Sequence, residues 1–267
     1  MNKTKIEWCD STWNPITGCL HGCEYCYARK IANRFAPASS KQMIKDMLEI
    51  AERDNVPPTL EHFYKAKPFE AGFYPTFYHH RLNEPFKIKK PSNIFVCSMA
   101  DLFGDWVPDE WIKEVFEACK KAPQHNYMFL TKNFERYESI DDDFQRFWYG
   151  ATATNKDSFT LALDSFMQQR VNAERWFNTF LSVEPLLEEI SISECDGYFS
   201  CLDWLILGAE TGNRKDKVIP KKEWIDSIVE RCKQTNIPIF MKNSLIPIVG
   251  KENMLREFPK GLLMEEI

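Results

Sequence analysis

From residue 93 to residue 241 the chain repeats one arrangement. Short, continuous apolar runs occupy 93–97, 127–130, 147–152, 180–183, 204–207 and 237–241. Between several of them, apolar positions recur at helical spacing. A helix starting at Pro108 presents Trp111, Ile112, Val115, Phe116 and Cys119, and one over 222–234 presents Trp224, Ile225, Ile228, Val229 and Cys232. Asn155 is placed to cap a helix running through Gln168, and a short helix starts at Phe134. Runs that are apolar throughout, rather than alternating, predict strands buried on both faces, hence a parallel sheet covered by helices.

The first third reads differently. Residues 12–15 are β-prone and form a first strand, which brings the expected total to about seven β/α units. Helices follow at 27–35, with Ala28, Ile31, Ala32 and Phe35 on one face, and at 41–53, with Met43, Ile44, Met47, Leu48 and Ala51 on one face. Pro57-Pro58 stops the second. Residues 62–92 then interleave Phe63, Tyr64, Phe69, Phe73, Tyr74, Phe77, Tyr78 and Phe86 with six cations against Glu70 and Glu84. Rings among cations can stack bases and contact phosphates. The expectation is the plainer one, that this stretch caps the sheet with its rings and leaves its lysines in solvent. The organisation expected is one α/β domain over 1–267 with an insertion at 36–92, and an open doubly wound sheet fits the pattern as well as a barrel does.

Composition narrows the class. A chain of 267 residues with 44% hydrophobic content has ample core, and its net charge of −5 argues against a protein coated in basic residues for nucleic acid. No apolar run approaches membrane-spanning length, and Met1-Asn2-Lys3-Thr4-Lys5 leads into no apolar signal segment, so a cytoplasmic protein with no membrane partner is expected. Nine cysteines, an odd number, fit a reduced compartment better than a disulfide framework.

Three of those cysteines carry the chemistry. Cys19, Cys23 and Cys26 stand in C-x3-C-x2-C spacing, with Tyr25 and Tyr27 on either side of the last. A short loop so spaced can wrap one face of an iron–sulfur cluster; four cysteines would close it, and three leave one iron open. Zinc also accepts thiolates at close spacing, with Cys9 or His21 as a fourth ligand. Polar residues recur just past the apolar runs: Ser98 and Asp101, Thr131 and Lys132, Thr152, Thr154 and Asn155, then Glu184, Glu210 with Thr211, and Lys242 with Asn243. Functional groups collect at the carboxyl ends of parallel strands, so a shared site is expected there.

The cysteine spacing with its aromatic neighbour resembles the signature of the radical S-adenosylmethionine (radical SAM) superfamily. A wider set resembles the phage Gp37/Gp68 family over roughly residues 6–245. It comprises Glu7-Trp8-Cys9-Asp10, Thr12-Trp13-Asn14-Pro15, Gly18-Cys19, Ser98-Met99-Ala100-Asp101-Leu102-Phe103, Leu130-Thr131-Lys132, Leu181-Ser182-Val183-Glu184-Pro185 and Gly208-Ala209-Glu210-Thr211-Gly212. The resemblance implies a partial or complete (β/α) barrel. It also implies a [4Fe-4S] cluster on Cys19, Cys23 and Cys26, with SAM on the open iron. An electron donor such as flavodoxin or ferredoxin follows, as does a 5′-deoxyadenosyl radical that abstracts hydrogen from a substrate, with a nucleobase in nucleic acid among the candidates.

The resemblance also implies roles around SAM. Ser98 and Asp101 stand where the methionyl amine is bound, although the Gly-Gly-Glu often found there is missing. Lys132 pairs the carboxylate, Thr152 and Asn155 the ribose hydroxyls, and the Tyr25 backbone the adenine edge, with 205–208 supporting that base. Glu184, Glu210 and Lys242 remain for substrate or proton transfer, and Cys9 for hydrogen donation to a product radical. The structural alternatives are a Glu184–Lys242 ion pair, Glu210 capping a turn with Gly212, and Cys9 as a small buried filler. Cys97, Cys119 and Cys232 read as core, and Cys195 and Cys201 lie in a connecting segment. The competing function class is a zinc-containing nucleic-acid-binding protein without catalysis.

Overall fold

The computed structural model describes residues 1–140, 142, 144–172, 177–190 and 192–263, and the side chain of Cys195 lies outside that description. The chain divides into two compact units, Met1–Asn133 and Phe134–Ile267.

The first unit opens with β1 (Asn2–Lys3), β2 (Ser11–Trp13) and β3 (Ile16–Thr17), then α1 (Tyr27–Phe35) and α2 (Ser40–Asp54). After β4 (Leu60–His62) and β5 (Thr76–Tyr78) come β6 (Asn93–Val96), α3 (Asp109–Lys120) and β7 (Asn126–Thr131). β2, β6 and β7 run parallel, with Trp13 opposite Val96 and Phe95 opposite Met128, while β1 lies antiparallel on β2. Every residue of β6 is buried, as a strand covered on both faces requires. α3 lays Trp111, Ile112, Val115, Phe116 and Cys119 into the core. There Phe116 meets Phe129 at 5.1 Å and Phe103 at 6.3 Å between ring centroids. Each large side chain so buried contributes about 1.5–3 kcal/mol over its exposed state.

β3, β5 and β4 form a second, small sheet, with Ile16 opposite Phe77 and Leu60 opposite Thr76. Phe73, Tyr74, Phe77 and Tyr78 of the aromatic–basic stretch are buried with it, whereas Phe63 and Tyr64 are 67% and 80% exposed. The two early helices are less embedded than their periodicity suggests. α1 buries Ala28 and Ala32 but leaves Ile31 and Phe35 exposed, and of the apolar face of α2 only Ala51 is fully buried. Small residues make those contacts: a Cβ on Gly72 would lie 3.2 Å from Ile44 Cδ1 and 3.5 Å from Ser40 Oγ, so the chain there lies close against α2.

The second unit contains β8 (Phe147–Ala153), α4 (Lys156–Asn172), β9 (Asn178–Val183), β10 (Trp204–Leu207), α5 (Lys222–Gln234), β11 (Ile239–Met241) and a short α6 (Ile246–Val249). Its four strands are parallel, with Thr152 opposite Ser182, Leu207 opposite Val183 and Leu207 opposite Met241. Gly150 clears room for a ring, since a Cβ there would sit 2.2 Å from Phe180. Fully buried Trp204 packs against Phe180 and Phe258 at 5.9 and 5.3 Å and donates its Nε1–H to the Glu257 carbonyl at 2.9 Å. β11 starts at Ile239 rather than at the expected Ile237, because Pro238 has no N–H for the ladder; its carbonyl still accepts from Leu205 at 3.1 Å. Both units are α/β, and Cys97, Cys119 and Cys232 are buried as expected.

Candidate functional site

Past β2 and the short β3, the cysteine loop starts at Gly18. At φ +91°, a Cβ on this residue would stand 2.1 Å from the Tyr74 carbonyl oxygen, so only glycine fits. The loop is stitched on both sides: Gly18 N–H donates to Met99 O at 2.9 Å and Cys19 N–H to Phe73 O at 3.2 Å. Gly22, at φ +76°, turns the chain where a Cβ would meet nothing. Cys26 then caps α1, its Sγ accepting from the Arg29 N–H at 3.3 Å, where the helix N-terminus favours negative charge.

All three thiols are partly exposed, and Cys19 and Cys26 pack against Ala28, Ala32 and Phe73. The Cys19 thiol is pushed up to about 12, chiefly by burial and further by the negative potential of Asp101, Cys23 and Cys26, against the lowering effect of the His21 N–H. A site of this donor chemistry takes up a metal with release of a proton. Among the described residues no three His, Cys, Asp or Glu side chains converge tightly enough to hold a single metal ion. A four-iron cluster takes each thiolate on a different iron, and three thiols on one short loop are the donor chemistry for it.

Asp101 ties the neighbouring loops together. Its Oδ2 accepts from His21 Nε2 at 2.7 Å and from the Lys132 N–H at 3.0 Å, and its Oδ1 accepts from the Phe103 N–H at 3.0 Å. His21 also stands edge-on to Trp106 at 4.9 Å. Lys132 carries its ammonium 5.5 Å from the centre of the Tyr25 ring; burial raises that phenol above its usual value, and Lys132 opposes the rise. Ser98 donates to Asn14 Oδ1 at 3.2 Å, which also accepts from the Met99 N–H at 2.9 Å, and the Ser98 carbonyl accepts from Tyr27 at 2.7 Å. Loops after β2, β6 and β7 thus bring Cys19, Cys23, Tyr25, Cys26, Ser98, Asp101 and Lys132 together. Cys9 is not among them. It precedes the amino end of β2, beside the Asp10 N–H that donates to Asn93 O at 2.9 Å, at the opposite end of the strand.

The second unit carries its polar residues on the carboxyl ends of β8 to β11. Thr152 is half-buried near the end of β8, and Asn155 caps α4, its Oδ1 accepting from the Ser158 N–H at 2.9 Å. Glu184, after β9, pairs with Lys242, after β11. Gly208 lies between them, where a Cβ would sit 3.2 Å from Glu184 Cγ and 3.3 Å from Lys242 Cδ. Nearly buried Glu210 forms a bidentate pair with Arg214, both distances 2.8 Å. Sequence reasoning gave no role to Arg214 and weighed His21 only as a ligand. Asn14 stood in a recognised motif without an assigned role, and only the fold brings it to Ser98 and Met99.

The α/β fold, with its parallel strands, is similar to that of spore photoproduct lyase. One such structure, of a mutant with a cysteine replaced by serine, matches with a TM-score of 0.55 at 12% identity over 90% of this chain and 78% of its own. A complex with dinucleoside spore photoproduct matches at 0.54 and 11% identity over the same shares. A mutant with bound AdoMet and the dinucleoside matches at 0.51 and 11%, over 87% of this chain; the chain spans only 63% of that protein's length. By sequence, the chain belongs to the family described as protein of unknown function DUF5131, whose model matches residues 3–245. No curated protein matches it. Among the described residues no helix is long and apolar enough to cross a membrane.

Proposed function

We propose that this protein is a radical SAM enzyme that holds a [4Fe-4S] cluster through Cys19, Cys23 and Cys26. The observation that carries the reading is the glycine-fixed loop past β2 and β3, with its three thiols tied through Asp101 to the loops after β6 and β7. The likeness of the fold to structures of spore photoproduct lyase, one with bound AdoMet, supports it. The motifs shared with the phage Gp37/Gp68 family point the same way. When bound and reduced by a donor of the flavodoxin or ferredoxin kind, such a cluster supplies the electron that cleaves SAM to a 5′-deoxyadenosyl radical.

The chain's own residues bind and orient. Lys132 places a cation beside Tyr25, suited to the SAM carboxylate, and the Tyr25 backbone would border the adenine. Ser98 serves the methionyl amine. Asp101 already serves three donors, so it acts there by holding the loops that carry Cys19, Ser98 and Lys132. Thr152 and Asn155 are assigned to the ribose. Glu184, Lys242 and Glu210, each paired with an opposite charge, are assigned to substrate binding and proton transfer. Cys9 is left out of the site. The dinucleoside in the spore photoproduct lyase complexes supports a substrate bearing nucleobases.

The test is anaerobic reconstitution with iron and sulfide, followed by dithionite and SAM. Wild type should carry iron and release 5′-deoxyadenosine, and replacing Cys19, Cys23 or Cys26 by Ala should abolish release. Undiminished release from all three variants, or a wild type that binds zinc and no iron, overturns the proposal.

A further inference from the structure

The aromatic–basic stretch divides in two in the folded chain. Phe73, Tyr74, Phe77 and Tyr78 enter the core, while Phe63 and Tyr64 remain 67% and 80% exposed, followed directly by exposed Lys65 and Lys67. Phe63 is not a loose ring. It stacks on His79 with centroids 4.2 Å apart and planes within 9°, and the same imidazole lies 4.0 Å from Phe77.

His79 is fixed in turn from both ends. Its Nε2 lies 2.9 Å from Glu61 Oε2 and its Nδ1 3.1 Å from Glu114 Oε2, while Glu61 Oε1 accepts from Trp111 Nε1 at 2.8 Å. One face of Phe63 is therefore held by a clamped imidazole, and much of the ring stays open to solvent. Glu61 and Glu114, the nearby carboxylates, are committed to His79. The flanking field is basic: Lys65 is near enough to His80 to join burial and Arg81 in lowering that imidazole's value against the pull of Glu84, and residues 62–92 carry six cations against Glu70 and Glu84.

We propose that the edge formed by Phe63, Tyr64, Lys65 and Lys67 binds single-stranded nucleic acid, with bases stacked on the two rings and phosphates held by the two ammonium groups. A held aromatic face loses little conformational entropy when a base covers it, and stacking accepts any base. A duplex offers no free base faces, so the edge selects an unpaired strand. This deepens the function proposed above and rests on it for one consequence, that the bound strand presents the substrate nucleobase. Binding itself needs neither cluster nor SAM.

The experiment follows the fluorescence anisotropy of short labelled oligothymidylate, oligouridylate and a matching duplex, titrated with the full chain without reductant or SAM at several salt concentrations. Wild type should bind the single strands more tightly than the duplex, and a preference between the two strands identifies DNA or RNA as the ligand. The Phe63→Ala/Tyr64→Ala variant should bind about tenfold or more weakly. Lys65→Ala/Lys67→Ala should flatten the dependence of log affinity on log salt by about 1.4, as two phosphate contacts on a single strand require. All four side chains are exposed, so the variants keep the fold, which circular dichroism verifies. Absence of binding by wild type at low salt, a tighter duplex complex, or aromatic variants that bind like wild type overturns the proposal. Cys19→Ala separates the two readings: it should keep oligonucleotide binding while losing 5′-deoxyadenosine release. A wild type that releases 5′-deoxyadenosine but binds no strand overturns this inference alone.

Discussion

His21 and Asp101, 80 residues apart in sequence, meet at 2.7 Å, and the same carboxylate gathers the backbone N–H groups of Phe103 and Lys132. One side chain thus fixes the cysteine loop against two strand ends. Asp101→Ala strands three donors in a buried place and should lower stability by about 1–3 kcal/mol, read from urea denaturation. The same variant should hold less iron after reconstitution than Ser98→Ala, which loses a single 3.2 Å hydrogen bond. Equal iron content in the two would remove Asp101 from its positioning role.

The two loop glycines should respond differently to the same change. At Gly18 an added methyl strikes the Tyr74 carbonyl at 2.1 Å, whereas at Gly22 it meets open space and only the positive φ is strained. Gly22→Ala should cost about 1 kcal/mol and Gly18→Ala more than about 2 kcal/mol, with loss of the loop's geometry. Thermal melting of both variants measures the gap.

Glu184 and Lys242 are mostly shielded partners across Gly208. Either single replacement, Glu184→Gln or Lys242→Met, should destabilise more than half as much as the pair of replacements together. The double-mutant cycle should return a coupling of about 1–3 kcal/mol. A coupling near zero would mean the two charges act independently.

Two buried or flanked imidazoles set an acid limit. His125 is fully buried and its value is lowered by burial; His80 is lowered by burial and by Arg81. Both folded values lie below the unfolded one, so the unfolded chain binds more protons in acid. Stability is then complete above the ordinary imidazole value of about 6.5 and falls as pH drops from there toward the folded values. Denaturation followed between neutral and mildly acidic pH should show that slope, and His125→Gln should flatten it.

Uptake of iron should be proton-linked in the opposite sense. A Cys19 thiol raised to about 12 is protonated at neutral pH, and ligation must displace that proton. Loading should strengthen as pH rises, with proton release measurable in weakly buffered solution; loading independent of pH would contradict it.

Local signals were legible in the chain and distant ones were not. The run 204–207 and the periodicity of 222–234 gave β10 and α5 with their observed bounds, because each pattern is complete within its own segment. The C-x3-C-x2-C spacing of Cys19, Cys23 and Cys26 was legible for the same reason. The small sheet escaped notice: its strands are two or three residues long, and Ile16 finds its partner at Phe77. The Glu210–Arg214 pair spans four residues of irregular chain, where no helical spacing announces it. His21 needs Asp101, and only the folded loops supply it.

The Tyr74 carbonyl occupies the space that any side chain at residue 18 would claim. A chimera that exchanges the stretch around Tyr74 for a foreign segment must keep that backbone path and the Phe73 carbonyl that accepts from the Cys19 N–H. Otherwise it forfeits the bend from which the three thiols hang. Graft and motif have to be transplanted as one piece.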